Sequence, residues 1–198
     1  DRFSEDLDFS LLVTDETFDL GAYLNPVRDV IRSLGLDFEV SQKDETAKPT
    51  IESAFIKGNT KETIMTIHPG STDANRIIHQ ENITITFEVD VNPPSYANTE
   101  IKYRLLPFPY QVRIHDRESL FAGKVHAVLS RSWKNRVKGR DLYDFVFFLS
   151  MGTNVNLKHL EARLKKTKTL EDHVVLNKEM LIEMLDRRFD TIDYASAR

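Results

Sequence analysis

Ile83-Thr84-Ile85-Thr86-Phe87-Glu88-Val89-Asp90-Val91 alternates without a break. Side chains of a strand point to opposite faces with period two, so Ile83, Ile85, Phe87, Val89 and Val91 share one face and Thr84, Thr86, Glu88 and Asp90 the other. The stretch predicts a strand packed on one side and carrying two carboxylates on the other. Upstream, Thr60 to His68 and Ile51 to Lys57 read as extended runs joined by the turn pair Gly58-Asn59, and Leu36 to Ser41 as another, which together predict a meander. Asn25-Pro26 supplies a cap and a first-turn proline for a helix carrying Val27, Val30, Ile31 and Leu34 and stopped by Gly35. Phe3 to Val13 reads as a further strand, with carboxylates alternating before an apolar run.

Downstream the character changes. Asn92 to Tyr110 holds four of the chain's seven prolines and predicts an irregular crossing. Asp116 can cap a helix running to about Trp133, and helical patterns cover Asp141 to Ser150, Asn156 to Lys166 and Asn177 to Phe189. The expected class is α+β: a sheet domain over residues 1–115 followed by a helical domain over residues 116–198. Because the sequence opens inside an expected strand, further residues are expected upstream of Asp1.

Composition narrows the function. The 198 residues are 40% hydrophobic and 29% charged, which is the profile of a folded globular protein. No apolar run approaches the ~18 residues of a membrane span, and the acidic first residues are unlike a secretory signal. Zero Cys excludes disulfides and thiolate chemistry and fits a cytoplasmic setting. With 27 basic against 31 acidic residues the net charge is −4, so a polyanionic partner must be met by a local basic patch.

Carboxylates gather at two places. Asp6-Leu7-Asp8 puts two on one face of a strand, and Glu88-Val89-Asp90 repeats the device. Like charges so close are costly unless a cation sits among them, and Mg²⁺ is the usual hard partner; a solvated sheet face is the alternative. If the strands are neighbours, these groups could hold one or two metals.

The helix after Asp116 places Lys124 within the arc of Leu120, Phe121, Val125, Val128 and Leu129, with Arg131 near the edge two turns on. An ammonium there needs an anion or must snorkel outward. Asp141 and Asp144 lie on the next, nearly all-apolar helix. A Lys124–Asp141 pairing would satisfy both groups, although Asp141 could instead cap its helix. Between the helices, Arg131-Ser132-Trp133-Lys134-Asn135-Arg136-Val137-Lys138-Gly139-Arg140 has five basic residues and an aromatic, suited to triphosphate or RNA contact with Trp133 stacking on a base, or else simply a solvated loop. His68, His79, His115, His126, His159 and His173 show no ligand spacing and read as surface or structural residues.

Arg2-Phe3-Ser4-Glu5-Asp6-Leu7-Asp8-Phe9, then Phe87-Glu88-Val89-Asp90, then Ser119-Leu120-Phe121-Ala122-Gly123-Lys124-Val125-His126-Ala127, then Arg131 and Gly139-Arg140-Asp141-Leu142-Tyr143-Asp144 resemble, in order and spacing, the AbiEii/AbiGii toxin family of nucleotidyltransferases, within the DNA polymerase β-like superfamily. Arg188-Phe189-Asp190 is similar to that family's helical tail. The resemblance implies a mixed-sheet nucleotidyltransferase core followed by a C-terminal helical bundle, with Mg²⁺ or Mn²⁺ and a nucleoside triphosphate as ligands. It implies Asp6 and Asp8 as metal ligands with Glu88 or Asp90 as the third, Lys124 on phosphate with Arg131 and Arg140 nearby, and Asp141 completing the site. It further implies a toxin of a toxin–antitoxin or abortive-infection system, transferring a nucleotide to RNA, as some members do to the acceptor end of tRNA. The expected antitoxin is separately encoded and need not bind the toxin. The family's Gly-Gly-Ser/Thr phosphate-holding block is expected upstream of this sequence, so these 198 residues alone are expected to lack part of the active site. Two rival readings are a metal-dependent nuclease, using Asp90 with Glu100-Ile101-Lys102, and an inactive nucleic-acid-binding relative.

Overall fold

The structure, a computed structural model, describes residues 6–15, 17–33, 37–42, 60–68, 83–106, 108–133 and 137–196. The expected run Ile51 to Lys57 and its Gly58-Asn59 turn lie outside them. The chain divides into two compact units, Asp1–Pro93 and Pro94–Arg198.

In the first unit, β1 (Asp6–Ser10), β2 (Asp37–Gln42), β3 (Thr60–His68) and β4 (Ile83–Asp90) form one sheet in the order β1-β4-β3-β2. β4 runs antiparallel to β3 and parallel to β1, so the alternating segment is the central partner of both. Its inner face packs Val89 and Val91 on Leu20, with Leu11 and Phe18 against them. Helix α1 (Gly21–Ser33) starts earlier than expected and contains Pro26 in its interior. The start is set by Asp19, whose Oδ1 accepts the Gly21 amide at 2.8 Å, and by the burial of Leu20 and Leu24. Gly21 lets that bond form closely, since a Cβ would stand 3.0 Å from the same carboxylate oxygen and Asp19 would have to give by a few tenths of an ångström. Tertiary burial thus outweighs the preference of proline for a first turn.

The second unit begins with a hairpin, β5 (Thr99–Arg104) and β6 (Tyr110–His115), where an irregular crossing was expected. The prolines punctuate the strands without interrupting them: Pro93 and Pro94 precede the hairpin and Pro109 immediately precedes β6. The hairpin joins the helices, because the Asn98 amide donates to Ser119 Oγ at 2.9 Å and the His115 ring meets His159 edge-on. The structural division therefore precedes the boundary expected after residue 115.

Four helices follow: α2 (Arg117–Ser130), α3 (Gly139–Ser150), α4 (Leu157–Lys166) and α5 (Lys178–Asp190). Asp116, Asn156 and Asn177 each accept an amide three residues on and cap α2, α4 and α5. Phe121, Ala122, Val125 and Val128 of α2 are fully buried against Phe145, Leu160, Leu164, Leu170, Leu176 and Leu181. Phe148 stacks on Phe121 at 5.3 Å.

Beside this core lies a set of histidines held neutral. His159 is buried; its Nδ1 meets the Ser95 carbonyl at 2.8 Å, so Nδ1 carries the proton, and Arg163 approaches the bare Nε2 at 3.4 Å. His126 Nε2 bonds Thr167 Oγ1 at 3.1 Å, and burial, followed by Arg163, Arg131 and His159, pushes its pKa down to about 3. Burial and then Arg163 lower His115 and His159 as well. The unfolded chain therefore binds more protons than the folded one below the ordinary histidine pKa of about 6.5, and stability falls as pH drops through that range. His126 alone should contribute a slope of about 1.4 kcal/mol per pH unit. Denaturant unfolding between pH 7 and 5, above the carboxylate range, should show this loss, and His126→Gln should flatten the slope by about one proton; an unaltered slope would contradict a neutral His126.

Candidate functional site

The acidic face comes first from backbone register. Parallel pairing sets Asp6 opposite Thr86, Leu7 opposite Phe87, Asp8 opposite Glu88 and Ser10 opposite Asp90. Register partners stand on the same side of a pleated sheet, with strands about 4.8 Å apart, so positions 6, 8, 88 and 90 line one face across two strands. The adjacency required by the sequence reading is met. Asp8 is exposed, while Glu88 and Asp90 are half-buried. Asp8 has no hydrogen-bond or ion-pair partner among the described residues, whereas Asp90 Oδ1 accepts the Asn92 amide at 3.1 Å. Leu7, which alternation places opposite the two carboxylates and which was expected to anchor there, is 43% exposed, and Phe9 is 48% exposed, because β1 is an edge strand.

Carboxylates alone are a hard, oxygen-only donor set, which fits Mg²⁺ or Mn²⁺ and excludes a soft-metal site. Among the described residues no group of three or more Asp, Glu or His is gathered closely enough to hold an ion by itself. The register supplies neighbouring carboxylates, and oxygens of a ligand or water would have to complete the shell of an ion.

In the second unit the cations choose partners other than those expected. Lys124 Nζ meets Asp144 Oδ2 at 2.8 Å, and Arg131 Nη1 lies 2.7 Å from both oxygens of Asp141. The expected Lys124–Asp141 pairing is therefore corrected. α2 and α3 run antiparallel, so the later cation meets the earlier carboxylate, and the two pairs form rungs between the helices. Nor does Asp141 cap α3: Lys138 occupies the cap position without a side-chain bond, and Asp141 sits in the first turn, favourable to the helix dipole.

Of the basic run, Lys134 to Arg136 lie outside the described residues, and Lys138 and Arg140 are exposed. Trp133 is not free to stack on a base. The Arg188 guanidinium lies 4.4 Å over its ring, with Nε donating to the Val128 carbonyl at 2.9 Å and Nη2 to the Arg131 carbonyl at 2.6 Å. Arg188 thus closes the C-terminal end of α2, and burial lowers its pKa from the usual arginine value. Sequence reasoning had only its place in the last turn of α5 to go on. Of the nuclease elements, Asp90 lies on β4 and Glu100 on β5, strands of different sheets, and Glu100 is bound to Lys102 at 2.8 Å. Among the described residues no helix is long and apolar enough to cross a membrane.

The Arg131–Asp141 pair is asymmetric, with 40% of the arginine side chain exposed and 6% of the aspartate. Arg131→Met strands a buried carboxylate and should cost about 3 kcal/mol or more, whereas Asp141→Asn leaves a guanidinium that can turn to water and should cost less. Urea unfolding of both single variants and the double variant tests this: the double should resemble Asp141→Asn rather than the sum.

No curated protein matches the chain. Over residues 1–196 the sequence matches the family described as nucleotidyl transferase AbiEii toxin, type IV TA system. That match takes in β1 and β4 with their acidic face and α2 and α3 with their paired charges, and the chain therefore belongs to the AbiEii nucleotidyltransferase toxins of type IV toxin–antitoxin systems.

Proposed function

We propose that this nucleotidyltransferase is metal-dependent and moves a nucleoside monophosphate from a nucleoside triphosphate to the 3′ end of an RNA, with the acceptor end of tRNA as the form the family likeness favours, acting as a toxin in the cytoplasm. The observation that carries the reading is the parallel register pairing Asp8 with Glu88 and bringing positions 6 and 90 to the same face. Its type IV antitoxin is a separate partner that acts without having to contact the toxin.

In the reaction the 3′-oxygen attacks the α-phosphorus, the bond to the β-phosphate breaks, pyrophosphate leaves in line, and the hydroxyl proton passes to solvent. When bound, Mg²⁺ or Mn²⁺ supplies neutralisation of the developing phosphoryl charge. Asp6, Asp8 and Glu88 would hold it. Glu88 is favoured over Asp90 because it is the register partner of Asp8. The family likeness gives triphosphate contact to Lys124, whose Nζ Asp144 meets at 2.8 Å, and the basic run adds the exposed Arg140. Asp141 acts through Arg131, holding that guanidinium in place.

Asp8→Ala should lower transfer of labelled nucleotide into RNA by more than about 100-fold, since even groups that only support a metal ligand are worth 10- to 100-fold. Glu88→Gln should lose more than Asp90→Asn, and chelation should abolish the transfer. Undiminished transfer by Asp8→Ala would end this assignment.

A further inference from the structure

The β5–β6 hairpin has one covered and one open face. Glu100, Lys102, Val112 and Ile114 share a face and are half-buried, whereas Ile101, Tyr103, Gln111 and Arg113 share the other and are all exposed, Tyr103 to 71%. Register sets Ile101 opposite Arg113 and Tyr103 opposite Gln111, so the four form one contiguous patch. Arg104, exposed at the strand end, bonds only the Tyr103 carbonyl at 3.2 Å, and Arg113 only Thr99 Oγ1 at 3.3 Å, so neither meets a carboxylate among the described residues. The hairpin's one acidic residue, Glu100, is already bound to Lys102 on the other face. On a chain of net charge −4, the open face thus carries one cation, Arg113, with no acidic residue beside it, next to an exposed aromatic, while Arg104 belongs to the other face at the strand end.

We propose that the open face of the hairpin binds a single-stranded segment of the acceptor RNA, a base stacking on Tyr103, Gln111 reaching a base edge, and Arg113 meeting a phosphate. A sheet surface bearing an exposed aromatic beside an arginine without a carboxylate partner is the chemistry by which unstacked bases and their backbone are held. A second copy of the chain fits poorly, because a two-fold interface would set arginines against arginines with no open carboxylate on the patch to receive them. The proposal rests on the reading of RNA as acceptor and adds the surface that receives it.

Binding of a fluorescein-labelled single-stranded RNA oligonucleotide to the full chain, followed by anisotropy, tests it. Tyr103→Ala should weaken binding about 10-fold, and Tyr103→Phe should retain it. Arg113→Gln should reduce the slope of log affinity against log salt by about 0.7, and Arg113→Lys should keep it, which a merely structural role would not produce. Triphosphate binding by calorimetry should be unchanged in all four variants. If wild-type protein transfers nucleotide into RNA while Tyr103→Ala keeps the same KM for RNA and Arg113→Gln the same salt slope, the surface is overturned and the acceptor reading stands. If the wild type transfers nothing into RNA but Tyr103→Ala still loses oligonucleotide binding, the acceptor reading falls and the surface stands. Loss of a dimer in Tyr103→Ala by sedimentation, with RNA binding intact, overturns the surface in favour of self-association.

Discussion

Parallel pairing of β1 with β4 forces carboxylates of two strands onto one face, and this repulsion is the constraint the proposed chemistry depends on. Two unit charges about 5 Å apart in a medium of effective dielectric about 20 repel by roughly 3 kcal/mol. The burial of Val89 and Val91 on the opposite face holds the strand in its register, because a slip of one residue would carry those apolar side chains into water and the acids into the core. Position β1 at the sheet edge leaves Asp8 in contact with solvent, which lowers the repulsion until a ligand replaces the water.

The helical unit handles its buried charge differently. Asp141 and Asp144 face a core as apolar as Phe121, Val125 and Phe145, yet each has a cation from α2 at hydrogen-bond distance. Arg188, from a third helix, ties the carbonyls at the end of α2 and covers Trp133, so the backbone that carries Arg131 is fixed from two sides. These contacts are directional and rest on a close-packed core, which is how a long cationic side chain acquires a defined position without a rigid backbone of its own.

Local signals were legible wherever a single element decides its own geometry. Strict alternation identified β4, and Asp116, Asn156 and Asn177 declared three helix starts, because a cap needs only an oxygen and an amide three residues away. What remained hidden depends on partners distant in sequence. Pro26 read as a helix start, but burial of Leu20 and Leu24 drew the start back to Gly21. Prolines around residues 93 to 109 masked a hairpin whose first strand lies between them and whose second follows them. That Lys124 occupies an apolar arc was readable; that it takes Asp144 while Asp141 goes to Arg131 follows from the antiparallel packing of two helices, which no single segment encodes.

The same contrast separates the acidic residues by role. A carboxylate already neutralised by protein cations, as Asp141 is by both its oxygens, gains little from a further positive ligand and would have to give up an existing bond to take one. Asp8 has made no such commitment among the described residues, and the residue opposite it on the neighbouring strand is another acid. Its free energy is therefore the more responsive to an arriving cation, and the differential between the two kinds of site is what a ligand can exploit. Both kinds come from short runs of Asp spaced by apolar residues, and only the fold, by supplying Arg131 to one and Glu88 to the other, makes the first a brace and gives the second the acidic neighbour that the proposed metal site requires.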